Sequence, residues 1–208
     1  MKTEEAYNQW ASQYDTNLNK TRDLDQKKTR EILKQYDFKN VLELGCGSGK
    51  NTTYFAERAQ KVIAIDFSEK MLNLAQEKIN LKHVHFKKAN LLKIWPVEDS
   101  FADLISVNLV LEHIQDLNNL FQQVYRKLNS KGLFYISELH PFKQYIGSKA
   151  RFEVDDKVHV LETFTHHISD FIDAANFNNL SLVDLQESFD EETKETVPRL
   201  IHFVFQKY

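Results

Sequence analysis

A short apolar run, a glycine-rich loop and a helix start follow one another over residues 41–58, and this stretch constrains the fold most. Residues 41–44 have the length of a buried strand, and three glycines follow at alternate positions, Gly45, Gly47 and Gly49. Because glycine lacks Cβ, such a loop turns tightly and lets its backbone N–H groups touch a polar ligand. The stretch therefore predicts an α/β protein with a ligand-binding loop after its first strand.

The spacing of the glycines argues against two common phosphate-binding loops. A dinucleotide loop reads G-x-G-x-x-G/A, but its last small position is occupied by Lys50. A Walker A loop needs Ser or Thr after Gly-Lys, and Asn51 stands there instead. The order apolar-apolar-acid-apolar-Gly-x-Gly-x-Gly resembles motif I of the class I S-adenosylmethionine-dependent methyltransferases. The resemblance implies cofactor contacts for Glu43, Gly45 and Gly47; the alternative is a glycine turn in another α/β protein.

The resemblance implies a complete architecture for the chain. It is strong over residues 38–139 and holds in outline elsewhere. The expected fold is α/β: a Rossmann-like, mostly parallel seven-stranded sheet with helices on both faces, an antiparallel last strand and an N-terminal helical lid. Residues 1–208 would form a single methyltransferase domain, with the lid over 1–36 and an insertion near the acceptor site over 140–165. The expected cofactor is S-adenosyl-L-methionine.

Composition fits one α/β domain and narrows the class of partner. The chain has 208 residues, 42% of them hydrophobic, and a net charge of −3, which gives no electrostatic reason for an obligatory nucleic-acid or membrane partner. Its single cysteine, Cys46, allows no internal disulfide and suits a reducing compartment. We find neither a signal-peptide pattern nor an apolar run of transmembrane length, so we expect a cytoplasmic protein.

The N-terminal region predicts two helices. Aromatic and apolar residues recur at helical spacing over residues 3–14: Tyr7, Trp10, Ala11 and Tyr14. The order Trp-Ala-x-x-Tyr-Asp matches the lid of relatives and would place Tyr14 nearest the cofactor, although the helix could simply pack on the body. A second helix is predicted from Thr21 to about Tyr36, with Leu24, Ile32, Leu33 and Tyr36 facing inward. Near its start, Arg22 could pair with the cofactor carboxylate or be a solvated surface residue.

A second predicted strand, residues 61–66, ends in an acid. Asp66 lies 21 residues after Gly45, about the interval at which α/β folds place a ribose-binding carboxylate. A carboxylate accepts hydrogen bonds, and two vicinal hydroxyls donate them. By resemblance Asp66 binds the ribose hydroxyls, while Phe67 and Met71 flank the adenosine. The alternatives are a strand-end acid for Asp66 and a core residue for Met71.

Asn90 departs from the family pattern. Relatives usually carry an acid there, which accepts from the adenine amino group; the Asn90 oxygen can accept the same bond, and the N–H of Leu91 would meet a ring nitrogen. Asn108 ends the fourth predicted strand, at the carboxyl edge where open α/β sheets bind ligands. The following residues lack the Asn/Asp-Pro-Pro-Tyr/Phe of amino-methylating relatives. They resemble instead the branch that acts on small molecules, including ubiquinone and biotin-precursor methyltransferases.

Acceptor chemistry is less constrained than cofactor binding. A general base is needed only if the acceptor must lose a proton; the candidates are His113, Glu138 and His140, with no basis for a choice, and the alternative is that no base is used. In the branch that the sequence resembles, a histidine at position 113 is often structural, and we favour that interpretation for His113. His83 and His85 lack further ligands nearby, so no metal site is expected. The remaining candidates for the acceptor pocket lie in or beside the predicted insertion: Glu138, His140, Phe142, Tyr145 and Arg151.

Three functions remain open at the level of the sequence. The first is a methyltransferase with a small-molecule acceptor. The second is an RNA or protein methyltransferase, which would need a basic or docking face that the sequence does not concentrate anywhere. The third is a cofactor-binding partner subunit without catalysis. A fold shared with a family does not identify the acceptor.

Overall fold

Seven α-helices and nine β-strands make up the described part of the chain. The structure is a computed structural model that describes residues 3–14, 19–148, 151–154, 157–190 and 197–208. The helices are α1 (Thr3–Tyr14), α2 (Lys20–Leu33), α3 (Thr52–Arg58), α4 (Glu69–Lys78), α5 (Leu117–Lys127), α6 (Pro141–Tyr145) and α7 (Ile168–Phe177), with a 3₁₀ turn at Leu111–His113. The strands are β1 (Asn40–Leu44), β2 (Lys61–Asp66), β3 (Val84–Lys88), β4 (Ala102–Asn108), β5 (Leu128–Leu139), β6 (Arg151–Val154), β7 (Lys157–Val160), β8 (Leu180–Ser188) and β9 (Leu200–Lys207).

Seven of the strands form one sheet in the order β3-β2-β1-β4-β5-β9-β8. The pairs from β3 to β5 are parallel, and β9 runs antiparallel to both β5 and β8. β6 and β7 form a separate antiparallel pair. The predicted fold class, including the antiparallel last strand, is confirmed. Because the strand order reverses between β1 and β4, their carboxyl ends open a crevice of the kind in which α/β sheets bind ligands.

Apolar side chains cover both faces of the central strand. Leu42 and Leu44 belong to a buried cluster that includes residues of α5 and α7, whereas Val41 belongs to a cluster with residues of α2, α3 and α4. This alternation is what a parallel strand needs when helices pack on both of its faces. β1 is therefore held rigidly, and the loop that follows it starts from a fixed point.

Two local predictions need correction. Helix α2 begins at Lys20, because the Asn19 side chain accepts from the N–H of Arg22 at 3.0 Å and caps the helix. Its inward face carries the polar Asp25 together with Ile32 and Leu33, while the predicted inward Leu24 is only half-buried. Strand β5 begins four residues before the predicted Gly132, because Leu128 already pairs with Ala102 of β4.

Some predicted features fall where the structure gives no description. Asp15 of the lid motif and residues 149–150 and 155–156 of the predicted insertion lie outside the described residues. Among the helices that are described, none combines the length and the apolar character needed to cross a membrane.

Candidate active site

The glycine loop after β1 bends back onto β2 and presses against the segment that follows β4. The N–H groups of Gly45 and Cys46 both donate to the carbonyl of Ile65, at 2.8 and 3.1 Å. Gly45 has φ +69°, and a Cβ there would lie 2.4 Å from a methyl group of Val110. Any larger residue would therefore be strained and would clash. At Gly47 the one contact that a Cβ would make with the described residues is the Tyr14 ring, at 4.0 Å, so they leave space in front of this backbone.

Asp66 lies beside the glycine loop, at the end of β2, as the sequence predicts. One carboxylate oxygen accepts from the N–H of Gly47 at 2.9 Å and the other from the N–H of Ser68 at 2.8 Å. Burial raises the pKa of Asp66 to about 6, against the opposing effect of these backbone N–H groups. The carboxylate thus links β2 to the loop in front of which a ligand would lie.

Four residues predicted to contact the adenosine lie in different surroundings. The ring of Phe67 packs 5.8 Å from the ring of Tyr7 on α1, so it forms part of the cleft under the first helix. Met71 is fully buried. The side-chain oxygen of exposed Asn90 already accepts from the N–H of Leu92 at 2.8 Å, while Leu91 is half-buried against the core. In this structure the Asn90 oxygen serves a local turn.

Six of the predicted cofactor residues line one small cavity of about 50 Å³ between the glycine loop and α2: Tyr14, Arg22, Glu43, Gly45, Gly47 and Asn108. Two of these lining residues form a cation–π pair. The Arg22 guanidinium lies 3.9 Å from the centre of the Tyr14 ring and donates to the Tyr14 carbonyl at 2.7 Å. The sequence thus predicted side chains from four separate segments that do meet in space.

Asp25 of α2, which the sequence analysis missed, is buried at the inner wall of this cavity. One of its carboxylate oxygens accepts from Asn108 at 2.8 Å and from Ser137 at 2.5 Å, and the other accepts from Asn51 at 2.8 Å. Burial raises the pKa of Asp25, although all these donors oppose the shift. The carboxyl therefore joins α2, β4, β5 and the start of α3 around the cavity.

Glu43 lines the same cavity from near the carboxyl end of β1. It is buried, and its carboxylate accepts from the Thr52 hydroxyl at 2.5 Å. Burial raises the pKa of Glu43 to about 8. Burying a carboxyl group in a strand is costly unless hydrogen bonds or an opposite charge compensate it, which sets this position apart from its apolar neighbours.

Glu138 organises the backbone after β4 through one of its carboxylate oxygens. One carboxylate oxygen accepts from the N–H groups of both Val110 and Leu111 at 2.8 Å. Burial raises the pKa of Glu138 to about 8, and these two donors oppose the rise. Its place in the structure supports a role in holding the 3₁₀ turn that carries His113.

His113 lies where α1 crosses the cleft. Its Nδ1 is 3.2 Å from the carbonyl oxygen of Glu162, which can only accept, so Nδ1 carries the proton. Its Nε2 then accepts from the Tyr7 hydroxyl at 3.0 Å. Burial lowers the pKa of His113 and raises that of Tyr7, so both groups are neutral at pH 7. The neutral imidazole has one nitrogen fixed as a donor and the other available to take a proton.

His140 is buried at the start of α6, and both of its ring nitrogens are engaged. Nδ1 accepts from the N–H of Phe142 at 3.2 Å, which caps the short helix, and Nε2 lies 3.0 Å from a carboxylate oxygen of Glu187 on β8. Phe142 and Tyr145 are exposed, and the Tyr145 hydroxyl bonds to His167 at 2.6 Å. The side chain of Arg151 lies outside the described residues.

Residues 42–136 match the family model described as "Methyltransferase domain". A malonyl-[acyl-carrier protein] O-methyltransferase of Marinomonas sp. is 31% identical over 68% of this chain and 53% of its own length. A demethylmenaquinone methyltransferase of Lactobacillus johnsonii is 32% identical over 51% of this chain and 45% of its own length. The chain thus spans about half the length of these two relatives.

A solved structure of an S-adenosylmethionine-dependent methyltransferase from Mesorhizobium loti has the same fold. It superposes with a TM-score of 0.74 over 88% of this chain and 98% of its own, at 18% identity. Residues 42–136 thus match a methyltransferase domain, and the chain shares the fold of this S-adenosylmethionine-dependent methyltransferase over most of its length. Within the described ranges, no group of three or more His, Cys, Asp or Glu side chains is arranged to hold a metal ion.

Proposed function

We propose that this protein transfers the methyl group of S-adenosylmethionine to a small-molecule acceptor through an oxygen, nitrogen or carbon atom. The observation that carries the proposal is the cavity in front of the open Gly47 backbone, with Asp66 beside it. The names of two relatives favour a non-polymeric acceptor group, a quinone precursor in one and a malonyl group in the other. Each match covers only about half of the relative's length, so the acceptor class is a proposal that the labelling experiment tests.

The residues around the cavity fit this cofactor. Asp66 presents an acceptor to the ribose hydroxyls, and Phe67 offers an aromatic face next to it. The Asn51 side-chain oxygen is buried, lines the cavity and accepts no hydrogen bond from the described part of the chain, so it awaits a donor. When bound, S-adenosylmethionine supplies a methyl group on a positively charged sulfur that leaves as a neutral thioether. The protein then needs mainly to bind, align and exclude water.

Among the three predicted bases, the geometry favours His113. Glu138 is occupied by two backbone N–H groups and His140 by a helix cap and Glu187, whereas the partner of His113 Nε2 is a tyrosine hydroxyl on α1. An acceptor hydroxyl or amine could take the place of the Tyr7 hydroxyl and pass its proton to Nε2. The Glu162 carbonyl would stabilise the imidazolium through Nδ1–H.

The cofactor half of the proposal is tested by calorimetry. We expect wild-type protein to bind S-adenosylmethionine and S-adenosylhomocysteine in preference to NADH and ATP. Asp66→Ala should weaken both by about tenfold to a hundredfold, because it removes charge-assisted hydrogen bonds. Asp173→Ala, at an exposed position of α7, is the matched control and should bind as wild type does. Wild-type protein that binds neither sulfur compound would sink the proposal.

The acceptor half is tested with S-adenosylmethionine carrying a tritiated methyl group. Wild-type protein is incubated with a panel of small hydroxyl, amine and activated-carbon acceptors, with bulk RNA and with protein. We expect label to enter a small molecule. Label found only in RNA or protein would replace the small-molecule acceptor with a macromolecular one. Tight cofactor binding with no transfer to any fraction would support a partner subunit without catalysis.

A further inference from the structure

Two carboxyl groups lie on the acceptor side of the cleft, next to the turn that carries His113: Glu112 in that turn and Glu138 near the end of β5. Glu112 is half-buried, and its carboxylate accepts one long hydrogen bond from the described residues, 3.4 Å from the Gln144 side-chain nitrogen. Glu138 is only 3% exposed and holds both of its backbone donors on one oxygen, so its other oxygen accepts nothing from the described part of the chain. We call these two side chains the carboxyl pair.

The carboxyl pair lies close to the Tyr7 hydroxyl, which is the group that His113 Nε2 contacts at 3.0 Å. Burial is the main cause that raises the pKa of Tyr7, and the charges of Glu112 and Glu138 add to the rise. In the part of the chain that the structure describes, neither carboxyl forms an ion pair, because their hydrogen-bond partners are an amide and two backbone N–H groups. The described residues therefore leave the negative charge on this side of the cleft without a cation.

Methyl transfer moves a positive charge onto the acceptor when the acceptor atom is an amine nitrogen. The nitrogen lone pair attacks the methyl carbon, the carbon–sulfur bond breaks, and its electron pair stays on sulfur, which becomes a neutral thioether. The nitrogen then carries the charge that sulfur has lost, and it passes one proton to Nε2 of His113. Negative groups fixed beside a developing positive charge stabilise the transition state. The carboxyl pair lies next to the place where this charge develops.

Oxygen and carbon acceptors would meet the opposite situation. A carboxylate acceptor brings a negative charge, and a hydroxyl or a carbon acid gains negative charge as it loses its proton. Two carboxyls without a cation repel such an atom, and solvent screens this repulsion poorly where the groups are buried. The electrostatics of this side of the cleft therefore favours nitrogen over oxygen and carbon.

We propose that the acceptor is a small molecule with a basic primary or secondary amine, that its nitrogen receives the methyl group, and that Glu112 binds this nitrogen. The inference rests on the proposed function, because it names the acceptor class of the same site. The amine enters as the free base and donates an N–H to Glu112, which orients its lone pair. Glu138 is too buried to be the main contact and adds negative charge from behind.

The test follows the methyl group to its acceptor atom. Wild-type protein is incubated with S-adenosylmethionine carrying a carbon-13 methyl group, with a metabolite extract, and with amines, alcohols and carboxylates of the same carbon skeleton, such as benzylamine, benzyl alcohol and benzoate. NMR distinguishes methyl groups on nitrogen, oxygen and carbon by their chemical shifts. We expect label on nitrogen. Label on oxygen or carbon of a small molecule, with none on nitrogen, would overturn this inference and leave the proposed function standing. Label in no small molecule would overturn both.

A protein variant then locates the effect. Glu112→Gln keeps the size of the side chain and removes its charge, so it should lower kcat/KM for the amine about tenfold to a hundredfold while the affinity for S-adenosylhomocysteine stays nearly unchanged. The assay is run at pH 8, above the pKa of about 7 to which burial raises Glu112. Glu98→Gln, at an exposed position before β4, is the matched control and should react as wild type does.

Two results with Glu112→Gln would contradict the assignment. One is a wild-type rate with the amine, and the other is a loss of cofactor affinity as large as the loss of rate, which would mean a purely structural role. If Glu112→Gln fails to fold, the atom that carries the label in the wild-type reaction still decides between nitrogen and the other acceptors.

Discussion

The two halves of the cleft are built in different ways. The proposed cofactor half, formed by the glycine loop, Asp25, Glu43, Asn51 and Asp66, rests on buried carboxyls held by hydroxyls, amides and backbone N–H groups. The proposed acceptor half, formed by residues 109–113, 138–145 and 161–167, rests on contacts between distant parts of the chain. His113 reaches Glu162, 49 residues away, and Tyr7, 106 residues away.

Because of this difference, we expect the cofactor half to be rigid and the acceptor half to be adaptable. Strands β1 and β2 fix the cofactor half, because the loop between β1 and α3 is bonded directly to the end of β2. The acceptor half depends on segment 161–167, whose Phe164 N–H donates to the Glu112 carbonyl at 2.7 Å and whose His166 contacts the Ile114 carbonyl at 2.7 Å. Substitutions in that segment can reshape the acceptor site while the cofactor half keeps its form.

The largest expected effect is at the junction of the two halves. Gly45→Ala forces a left-handed conformation, which costs about 1–2 kcal/mol, and creates a contact with Val110 that adds about 1–3 kcal/mol. We expect urea unfolding to show a loss of about 2–5 kcal/mol in the free energy of unfolding. Cofactor affinity should fall as well, since the loop must shift.

Gly147→Ala is the matched control for this substitution. Gly147 also has a positive φ, +96°, but no atom of the described residues lies within 4 Å of its Cβ position, so the backbone strain is the expected effect. Adding Val110→Ala to Gly45→Ala should recover the part of the loss that comes from the clash. Equal losses for Gly45→Ala and Gly147→Ala would show that the two halves do not press on each other.

The next largest effect is on the rate of methyl transfer, and it distinguishes the acceptor half from the cofactor half. With an acceptor from the tritium screen, His113→Ala should lower kcat about a hundredfold, as expected for loss of a general base, with little change in affinity for S-adenosylhomocysteine. The acid limb of the wild-type pH–rate profile, set by the lowered pKa of His113, should disappear. Exposed His85→Ala serves as the control. A loss of cofactor affinity as large as the loss of rate would assign His113 to the cofactor half.

The cofactor half could be predicted where its residues form a recognisable pattern within a short stretch of sequence. Two glycines, Gly45 and Gly47, follow the buried strand β1, and Asp66 ends the buried strand β2. The sequence therefore indicated both the type and the position of these residues. Asp25 was missed because a single acid on an amphipathic helix looks solvated. Its signal was the spacing: Asp25 and Thr29 precede Ile32 and Leu33 on the same face, which makes a polar stripe inside the apolar one.

The acceptor half resisted prediction for a physical reason. Nothing near His113 in the sequence reveals that a tyrosine on α1 and a carbonyl from segment 161–167 will hold its ring. Likewise nothing near His140 in the sequence reveals that the fold brings Glu187 of β8 beside it. Hydrogen bonds between segments far apart in the chain depend on tertiary packing, and periodicity carries no information about them.

The smallest expected effect is a pH dependence of stability from Glu43. Its pKa is about 8 in the folded protein and 4.5 as an ordinary glutamate, so between pH 7 and 9 only the folded state holds the proton. Raising the pH removes that proton, and the contribution of Glu43 to the free energy of unfolding should fall by about 1–1.5 kcal/mol over this window. Burial lowers the pKa values of His113 and His202, so their titration lies below this window and does not oppose the change. Urea unfolding at several pH values measures the slope.

Two variants and a bound ligand can show which half of the cleft causes this change of the free energy of unfolding with pH. Glu43→Gln should reduce the slope and exposed Glu77→Gln should not. Glu138, in the acceptor half, has a similar pKa of about 8 and contributes a second, separate slope. If the ammonium group of bound S-adenosylhomocysteine lies beside Glu43, it favours the ionised carboxyl, so saturating ligand should remove the Glu43 part and leave the Glu138 part. Loss of both parts on ligand binding would mean that the two halves titrate together, and the separation between them would not hold.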